Sequence, residues 1–169
     1  VRMGRELRGA TLGIIGFGQI ARYLAGLARA FGMRVCVADP LAQMPADVER
    51  VPLEALLAQS DFVVCLAAAT PQTENLMGEA AFAAMQPTAF FINAARGNLV
   101  DEAALLRALN DGRIAGCALD VGRAPDQMPS PALACHPRVR ATPHVGGLTL
   151  PASEHQSMET AAQVAAILQ

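Results

Sequence analysis

The sequence predicts a doubly wound α/β fold, a parallel sheet with helices on both faces. Short runs rich in β-branched and aromatic residues alternate with stretches rich in Ala and Leu along the chain, the pattern typical of β-α-β connections. The predicted strands are apolar on both faces, as a buried parallel sheet requires. A glycine-rich turn joins the first predicted strand to the first predicted helix. We therefore expect one sheet around one core.

Six strands are predicted from short apolar runs that end at a turn signal or a helix start. They cover residues 12–15, 34–38, 62–66, 88–93, 114–121 and 139–142. Four helices are predicted from helical spacing of apolar residues, over 19–31, 53–58, 101–109 and 151–168. In the first helix the apolar positions are 20, 24, 27 and 31, and Asp101 is the expected N-cap of the third. The Pro-rich segment 124–137 is predicted to be a long loop.

Composition limits the class of protein. The chain has 169 residues, 53% of them hydrophobic, and a formal net charge of -2. This length suits a single domain over 1–169, and the apolar content excludes intrinsic disorder. The balance of 13 basic and 15 acidic residues disfavours nucleic-acid binding. No run approaches the ~18 apolar residues of a membrane span, and no signal peptide is visible.

The four cysteines indicate neither disulfides nor a metal site. They are Cys36, Cys65, Cys117 and Cys135, and no two are closer than 18 residues, so a zinc-binding pair is absent. Three of them sit inside apolar runs. We expect buried, reduced thiols in a cytoplasmic protein without a bound metal.

The glycine-rich turn is the first candidate site. Gly16, Gly18 and Ala21 form a GxGxxA pattern between a strand and a helix. Gly16 permits a tight turn, Gly18 lets the backbone approach a pyrophosphate, and Ala21 allows close helix packing. Gln19 and Ile20 open the helix, where free backbone N–H groups and the positive end of the helix dipole face the phosphates. The sequence therefore predicts a Rossmann-type dinucleotide site.

Asp39 lies at the end of the second predicted strand, 21 residues after Gly18. A carboxylate there can bind the hydroxyls of the adenosine ribose, and its charge would repel a 2′-phosphate. We therefore expect NAD as the cofactor in preference to NADP. The structural alternative is a tight glycine turn followed by a solvated Asp.

Several longer motifs resemble the D-isomer-specific 2-hydroxyacid dehydrogenases. They are LRGATLGIIGFGQIA, SDFVVCLAAATPQTENLM, FFINAARGNLVDEAALLRAL, GCALDV and ATPHVGG. The resemblance implies an NAD-dependent oxidoreductase that transfers a hydride between NAD(H) and a 2-hydroxy or 2-keto acid. It covers only the NAD-binding domain of that family, so the substrate domain is expected to lie outside residues 1–169. The resemblance also implies a homodimer, with contacts after Leu99 and around 148–151.

The resemblance assigns two catalytic residues and raises a question about a third. Arg96 would grip the substrate carboxylate with its guanidinium fork, and His144 would exchange a proton with the substrate oxygen. The family normally holds that His with a Glu at the position of Pro125 here. Asp126, one residue later, is the candidate substitute through a shifted loop. The departure leaves open an alternative function, a catalytically impaired member that acts as an NAD(H)-sensing binding protein.

The same resemblance implies further contacts with the cofactor. Asp120 corresponds to the carboxylate near the nicotinamide carboxamide, and Thr73 to the loop on the phosphate side. The other expected cofactor-binding positions are Ala94, Ala95, Arg96, His144, Gly146 and Gly147.

Overall fold

The computed structural model describes residues 4, 6–46 and 48–168 and confirms the doubly wound α/β fold. Seven parallel strands form one sheet in the order β3-β2-β1-β4-β5-β6-β7. The order reverses between β1 and β4, which flank each other in register, with Leu12 opposite Phe62. Ligands of such sheets bind beyond the carboxyl ends of the strands at this reversal.

The elements have the following bounds. The strands are β1 (Thr11–Ile15), β2 (Arg34–Ala38), β3 (Glu49–Arg50), β4 (Phe62–Cys65), β5 (Phe90–Asn93), β6 (Gly116–Leu119) and β7 (Val139–Ala141). The helices are α1 (Gln19–Ala30), α2 (Leu53–Gln59), α3 (Glu79–Ala84), α4 (Glu102–Asn110), α5 (Pro131–Ala134) and α6 (Leu150–Ile167). Two 3₁₀ turns cover Pro71–Thr73 and Gly97–Leu99.

All predicted strands and helices are present among the described residues, β2 with the predicted bounds and the others with shifted ends, and three strands or helices there were not predicted. Asp101 caps α4 as expected, since its carboxylate accepts the N–H of Ala104. The unpredicted elements are the two-residue edge strand β3, the six-residue α3, and α5 inside the predicted loop 124–137. None is long enough to show a periodicity of its own, which explains why the pattern missed them.

Helix α1 covers one face of the sheet with small residues. Its buried residues are Ala21, Ala25 and Ala28. The apolar positions that indicated a helix instead lie mainly outward: Ile20, Leu27 and Phe31 are all exposed. Alanine side chains let the helix approach the strands closely. The apolar periodicity thus predicted the helix correctly but marks its outer side.

The opposite face of the sheet carries the larger core, formed with α2, α3 and α4. Phe82 and Phe91 meet there edge to face, with ring centroids 5.4 Å apart. Leu99, Leu105 and Leu109 are also buried in this core. Several apolar residues at and after Leu99 therefore pack within their own chain, whereas Ala103 and Arg107 of α4 are exposed.

Helix α6 behaves differently from the other helices. Every residue of Leu150–Ile167 is exposed, although Met158 and Val164 are apolar. Thr149 caps its start by accepting the N–H of Ala152. In the part of the chain that the structure describes, no helix is long and apolar enough to cross a membrane.

Candidate dinucleotide and substrate site

The candidate site residues gather at one edge of the sheet. The strands are parallel, so the residues that follow β1, β2, β5, β6 and β7 emerge at the same edge. These positions are held by Gly16, Asp39, Ala94, Asp120 and Thr142. The strand order thus brings together residues that are far apart in the sequence.

The turn after β1 has the geometry of a phosphate cradle. Gly16 has φ +86°, and a Cβ there would lie 2.5 Å from Cα of Ala67, so only glycine fits. Gly18 is exposed, and a Cβ on it would meet nothing within 4 Å. This open space lies where a pyrophosphate approaches the backbone in such turns. Gly16 is therefore required by the backbone conformation of the turn, whereas Gly18 leaves space open for a ligand.

The start of α1 presents backbone donors to that space. Its first hydrogen bond runs from the N–H of Arg22 to the carbonyl of Gly18. The N–H groups of Gln19 and Ile20 precede this bond, and Gly18 offers no side chain to cap them. Both residues are exposed. The helix start fits the anionic pyrophosphate of a dinucleotide.

Asp39 is tied to the glycine turn. Its Oδ2 accepts the N–H of Phe17 at 2.8 Å, and its Oδ1 accepts those of Leu41 and Ala42. Partial burial by itself would raise the pKa of Asp39, but these three backbone donors outweigh it and lower the pKa. The carboxylate is therefore ionised and fixed beside the turn. It is not merely a solvated residue after a glycine turn, which was the structural alternative.

Asp120 organises the segment that carries His144. Its Oδ1 accepts the hydroxyl of Thr142 at 2.6 Å and the N–H of Val145 at 2.9 Å. Its Oδ2 accepts the N–H of Gly146 at 2.9 Å. Burial acts to raise the pKa of Asp120, but these hydrogen bonds, with the nearby charge of His144, lower it. One carboxylate thus holds residues on both sides of His144.

His144 itself is half-buried and has a left-handed backbone, with φ 52°. Non-glycine residues adopt this conformation only where their surroundings hold them in it. The hydrogen bonds of Asp120 and a bond from the N–H of His144 to the carbonyl of Thr142 supply that constraint. A Cβ on Gly146, two residues after His144, would lie 2.8 Å from the Asp120 carboxylate and would displace the group that holds this segment.

Arg96 lies in the turn that follows β5 and is exposed. Its Nη1 donates to the carbonyl of Ala95 at 2.7 Å, and the guanidinium forms no ion pair among the described residues. Ala94 is exposed and Ala95 is half-buried beside it. The turn therefore presents a cation with donors left for an anionic ligand.

The structure does not pair His144 with a carboxylate. No carboxylate oxygen of the described residues lies within 4.0 Å of an imidazole nitrogen of His144. Asp126 is exposed and accepts the N–H of Met128 in its own loop at 3.0 Å. Pro125 directly precedes Asp126 and offers no polar side chain. The Asp126–His144 contact expected from a shifted loop is not formed.

Arg123 explains why this loop stays where it is. Its guanidinium donates to the Glu74 carboxylate at 2.6 Å and to the carbonyls of Asn98 and Val100. Its own N–H donates to the Glu102 carboxylate at 2.9 Å. The hydrogen bond from Arg123 lowers the pKa of Glu74. Arg123 thus fastens the start of the loop to three other segments.

The remaining expected positions are placed as follows. Thr73 lies at the end of the first 3₁₀ turn, where its hydroxyl donates to the carbonyl of Ala68 at 2.8 Å and its Oγ1 accepts the N–H of Thr70. Gly147 is exposed beside Gly146. These contacts fix the loop after β4 at the same edge of the sheet.

Two residues that shape the site were not identified from the sequence. Asn93, at the end of β5, is 1% exposed and hydrogen-bonds the Arg96 turn. Arg123 anchors the start of the loop that carries Asp126 through the hydrogen bonds of its guanidinium. Asn93 bonds the backbone two and three residues further on, within its own turn, whereas Arg123 bonds distant backbone that only the folded chain brings close.

The cysteines match the expectation from the sequence in most respects. Cys36, Cys65 and Cys117 are buried free thiols, whereas Cys135 is exposed. Burial raises the pKa of Cys65 to about 11 and that of Cys117 to about 12, so both are inert thiols at neutral pH. No cluster of potential metal ligands is found among the described residues.

These observations define a dinucleotide-binding domain. The model for the D-isomer specific 2-hydroxyacid dehydrogenase NAD-binding domain matches residues 1–146. The chain therefore belongs to that family, whose cofactor is NAD.

Curated relatives include two of particular similarity. D-3-phosphoglycerate dehydrogenase 3 of Arabidopsis thaliana is 39% identical over 168 residues, which cover 96% of this chain and 28% of the relative. Glyoxylate reductase of Thermococcus gammatolerans is 40% identical over 156 residues, 90% of this chain and 46% of the relative. The chain thus spans less than half the length of either protein.

Solved structures show the same fold. D-lactate dehydrogenase from Aquifex aeolicus, complexed with NAD and lactic acid, superposes with a TM-score of 0.86 at 30% identity. That match covers 98% of this chain and 55% of the other. An acyclic imino acid reductase in complex with NADPH and D-Arg gives a TM-score of 0.90 at 30% identity, covering 98% and 53%. Relatives of this fold therefore carry either dinucleotide.

Proposed function

We propose that this domain binds NAD(H) in preference to NADP(H) and serves a dehydrogenase that interconverts 2-hydroxy and 2-keto acids. One observation carries the proposal. Arg96, with no ion-pair partner among the described residues, and His144, held in a left-handed backbone, follow β5 and β7, the two neighbours of β6, at the edge that bears the phosphate cradle. Such a site offers one group for a carboxylate and one for a proton.

Arg96 is the proposed anchor for the substrate carboxylate. Guanidinium binds a carboxylate through two parallel N–H donors, which fixes both distance and orientation. Its position after β5 is next to Ala94 and Ala95, whose small side chains leave the neighbouring space open. A bound 2-keto acid would thereby have its carbonyl held in one direction relative to the nicotinamide.

His144 is the proposed proton donor in reduction and acceptor in oxidation. Bound NADH supplies the hydride. The developing charge on the substrate oxygen then needs a proton, and imidazole titrates in the suitable range. Asp126 remains our candidate for a carboxylate partner of His144 only through movement of its loop, which the contacts of Arg123 oppose. Asp120 acts instead through the backbone around His144.

Asp39 is the proposed basis for the preference for NAD(H). Its ionised carboxylate stands where the adenosine ribose would lie and would repel a 2′-phosphate. Its remaining lone pairs can accept ribose hydroxyl protons. The existence of an NADPH-bound structural relative supports assigning the preference to side chains such as Asp39 and not to the fold.

Two measurements test the proposal. The chain itself should bind NADH, detected by nicotinamide fluorescence, but should not oxidise it with 2-keto acids, because the second wall of the crevice belongs to another domain. A chimera that carries this chain in place of the matching segment of Thermococcus gammatolerans glyoxylate reductase should oxidise NADH when glyoxylate is added. A folded chimera that binds NADH but shows no glyoxylate-dependent oxidation contradicts the proposal.

An NAD(H)-sensing protein without catalysis is not favoured, because the relatives reported above are dehydrogenases and reductases.

We also propose a homodimer in a cytoplasmic setting. The exposed apolar residues Leu148, Leu150 and Met158 support a contact between subunits near the start of α6. Three buried free thiols support a reducing environment. A purely monomeric chain in light scattering at high concentration contradicts the dimer.

A further inference from the structure

The turn after β5 is built around a buried amide. Asn93 is the last residue of the strand, and its side chain is 1% exposed. Its Oδ1 accepts the N–H of Ala95 at 3.1 Å, while its Nδ2 donates to the carbonyl of Arg96 at 3.0 Å. A single side chain thus closes the turn that carries Arg96.

To make both contacts, a side chain must offer a donor and an acceptor at the same time, each within reach of its backbone partner. An amide does so, whereas an ionised carboxylate accepts but does not donate, and an alkyl group does neither. Asn93 has no exposed surface through which water could replace a lost partner. The loss of either bond would therefore leave a backbone group of the turn without its present partner.

The backbone of this turn determines where the guanidinium of Arg96 lies. Nη1 of Arg96 rests on the carbonyl of Ala95, the residue whose N–H Asn93 accepts. On the far side, the chain after Arg96 is pressed against the next loop, since a Cβ on Gly97 would lie 2.0 Å from the carbonyl oxygen of Gly122. The turn is thus held from the core by Asn93 and from the outside by Gly122.

We infer that Asn93 is a positioning residue, which sets the Arg96 guanidinium for bidentate capture of a 2-keto acid carboxylate. This inference rests on the proposed function, because it takes that carboxylate as the ligand of Arg96. A two-pronged hydrogen bond tolerates little rotation or displacement of the fork. Loosening the turn therefore weakens carboxylate binding more than NAD(H) binding, because most of the expected NAD(H) contacts, among them Gly18 and Asp39, lie outside this turn.

The test measures two affinities in the chain itself. NADH binding is followed by nicotinamide fluorescence, and oxamate, a non-reducible mimic of a 2-keto acid, is then titrated into the NADH complex. The variants are Asn93→Leu, which removes both hydrogen bonds at similar size, and Asn93→Asp. Ser60→Ala is the matched control, because Ser60 is equally buried and its hydroxyl donates to the carbonyl of Leu56, away from the site.

Asn93→Leu should weaken oxamate binding roughly ten- to a hundredfold, the ratio expected from about 1–3 kcal/mol. NADH affinity should change by no more than about twofold to threefold, well below that range. Ser60→Ala should change neither affinity, although both variants lose stability. Equal oxamate affinity in the wild type and in a folded Asn93→Leu variant overturns the inference.

Asn93→Asp gives a readout that a structural defect would not reproduce. A protonated carboxyl donates to one backbone group and accepts from the other, as the amide does, whereas its ionised form does not. Relative to wild type at each pH, oxamate affinity should be near normal at about pH 5.5 and weak at about pH 8. A ratio that stays constant with pH would count against the inference.

Arg96→Lys completes a double-mutant cycle with Asn93→Leu. If Asn93 acts through Arg96, the second change adds little once the first is made. Additive losses overturn the inference. A wild type that binds NADH but not oxamate, or that binds oxamate equally well without Arg96, also overturns it. Failure of the wild type to bind NADH overturns the proposed function instead, so the two failures are distinguishable.

Discussion

The two halves of the site differ in how much of their chemistry is already satisfied within the chain. Around β1 and β2, the Asp39 carboxylate has three backbone donors and the glycine turn is fixed. Around β5 to β7, the backbone is equally constrained by Asn93 and Asp120, but Arg96 and His144 have no carboxylate partner among the described residues. In the proposed dinucleotide half the carboxylate already has its hydrogen-bond donors, whereas the proposed substrate half presents Arg96 and His144 without a carboxylate partner among the described residues.

This difference separates two kinds of preorganisation. A cofactor whose structure is always the same can be bound by backbone donors and one fixed carboxylate. Hydride transfer requires a second reactant, so its binding groups must stay accessible until that reactant arrives. A constrained backbone fixes the positions of Arg96 and His144, while the ends of their side chains stay accessible to the second reactant.

The largest effect is expected at Gly16. Gly16→Ala should prevent folding or destabilise the chain by about 3 kcal/mol or more, because its φ is +86° and the Cβ would overlap Ala67. Gly18→Ala is the matched variant, which should fold normally and still lose NADH affinity, since its Cβ enters the open ligand space. Urea unfolding and NADH titration separate the two effects. Equal stability of both variants would break the distinction between the two glycines.

Asp39 should give a smaller but specific effect. We expect wild type to favour NADH over NADPH by roughly ten- to a hundredfold, the ratio that about 1–3 kcal/mol of charge mismatch gives. Asp39→Asn should narrow this ratio, because the repelling charge is gone while one acceptor oxygen remains. Fluorescence titration with both cofactors measures it. Equal affinities in the wild type would contradict the role of this carboxylate.

Pro125→Glu sharpens the comparison in the substrate half. In the glyoxylate-reducing chimera, a carboxylate at this position should stabilise protonated His144 and extend reduction to higher pH, by up to about tenfold in rate at about pH 9. Pro125→Gln is the matched control without charge. A wild-type chimera that remains fully active at that pH would show that another group already holds the proton.

The smallest effect concerns acid stability. Hydrogen bonding lowers the pKa of Asp39 and Asp120 in the folded chain, so their contribution to stability is present above the unfolded pKa of about 3.9. It is lost as pH falls through their lower folded values. Wild type should therefore lose more stability between about pH 5 and about pH 2 than Asp39→Asn does. Parallel stability curves for the two proteins would contradict this assignment.

The features predicted from the sequence are those encoded locally. The GxGxxA turn, Asp39 and the Asp101 cap depend on short-range geometry, and the structure forms each of them. The outward direction of Phe31 was not predictable from spacing, because spacing defines a stripe but not the side that meets the sheet. The contacts of Arg123 join segments that only the fold brings together. The bonds of Asn93 are local, two and three residues along the chain, but a single Asn in a sequence does not reveal that its side chain is buried.

The position of β1 inside the sheet, between β2 and β4, also has a consequence for biosynthesis. Its partners are β2 on one side and β4 on the other, with Leu12 paired to Phe62, fifty residues later. At a translation rate of about 5–20 residues per second, roughly 3–10 seconds separate the two strands as they emerge from the ribosome. One edge of the apolar strand β1 is unpaired during this interval, so nascent chains should be most prone to aggregation and to chaperone capture before β4 is made.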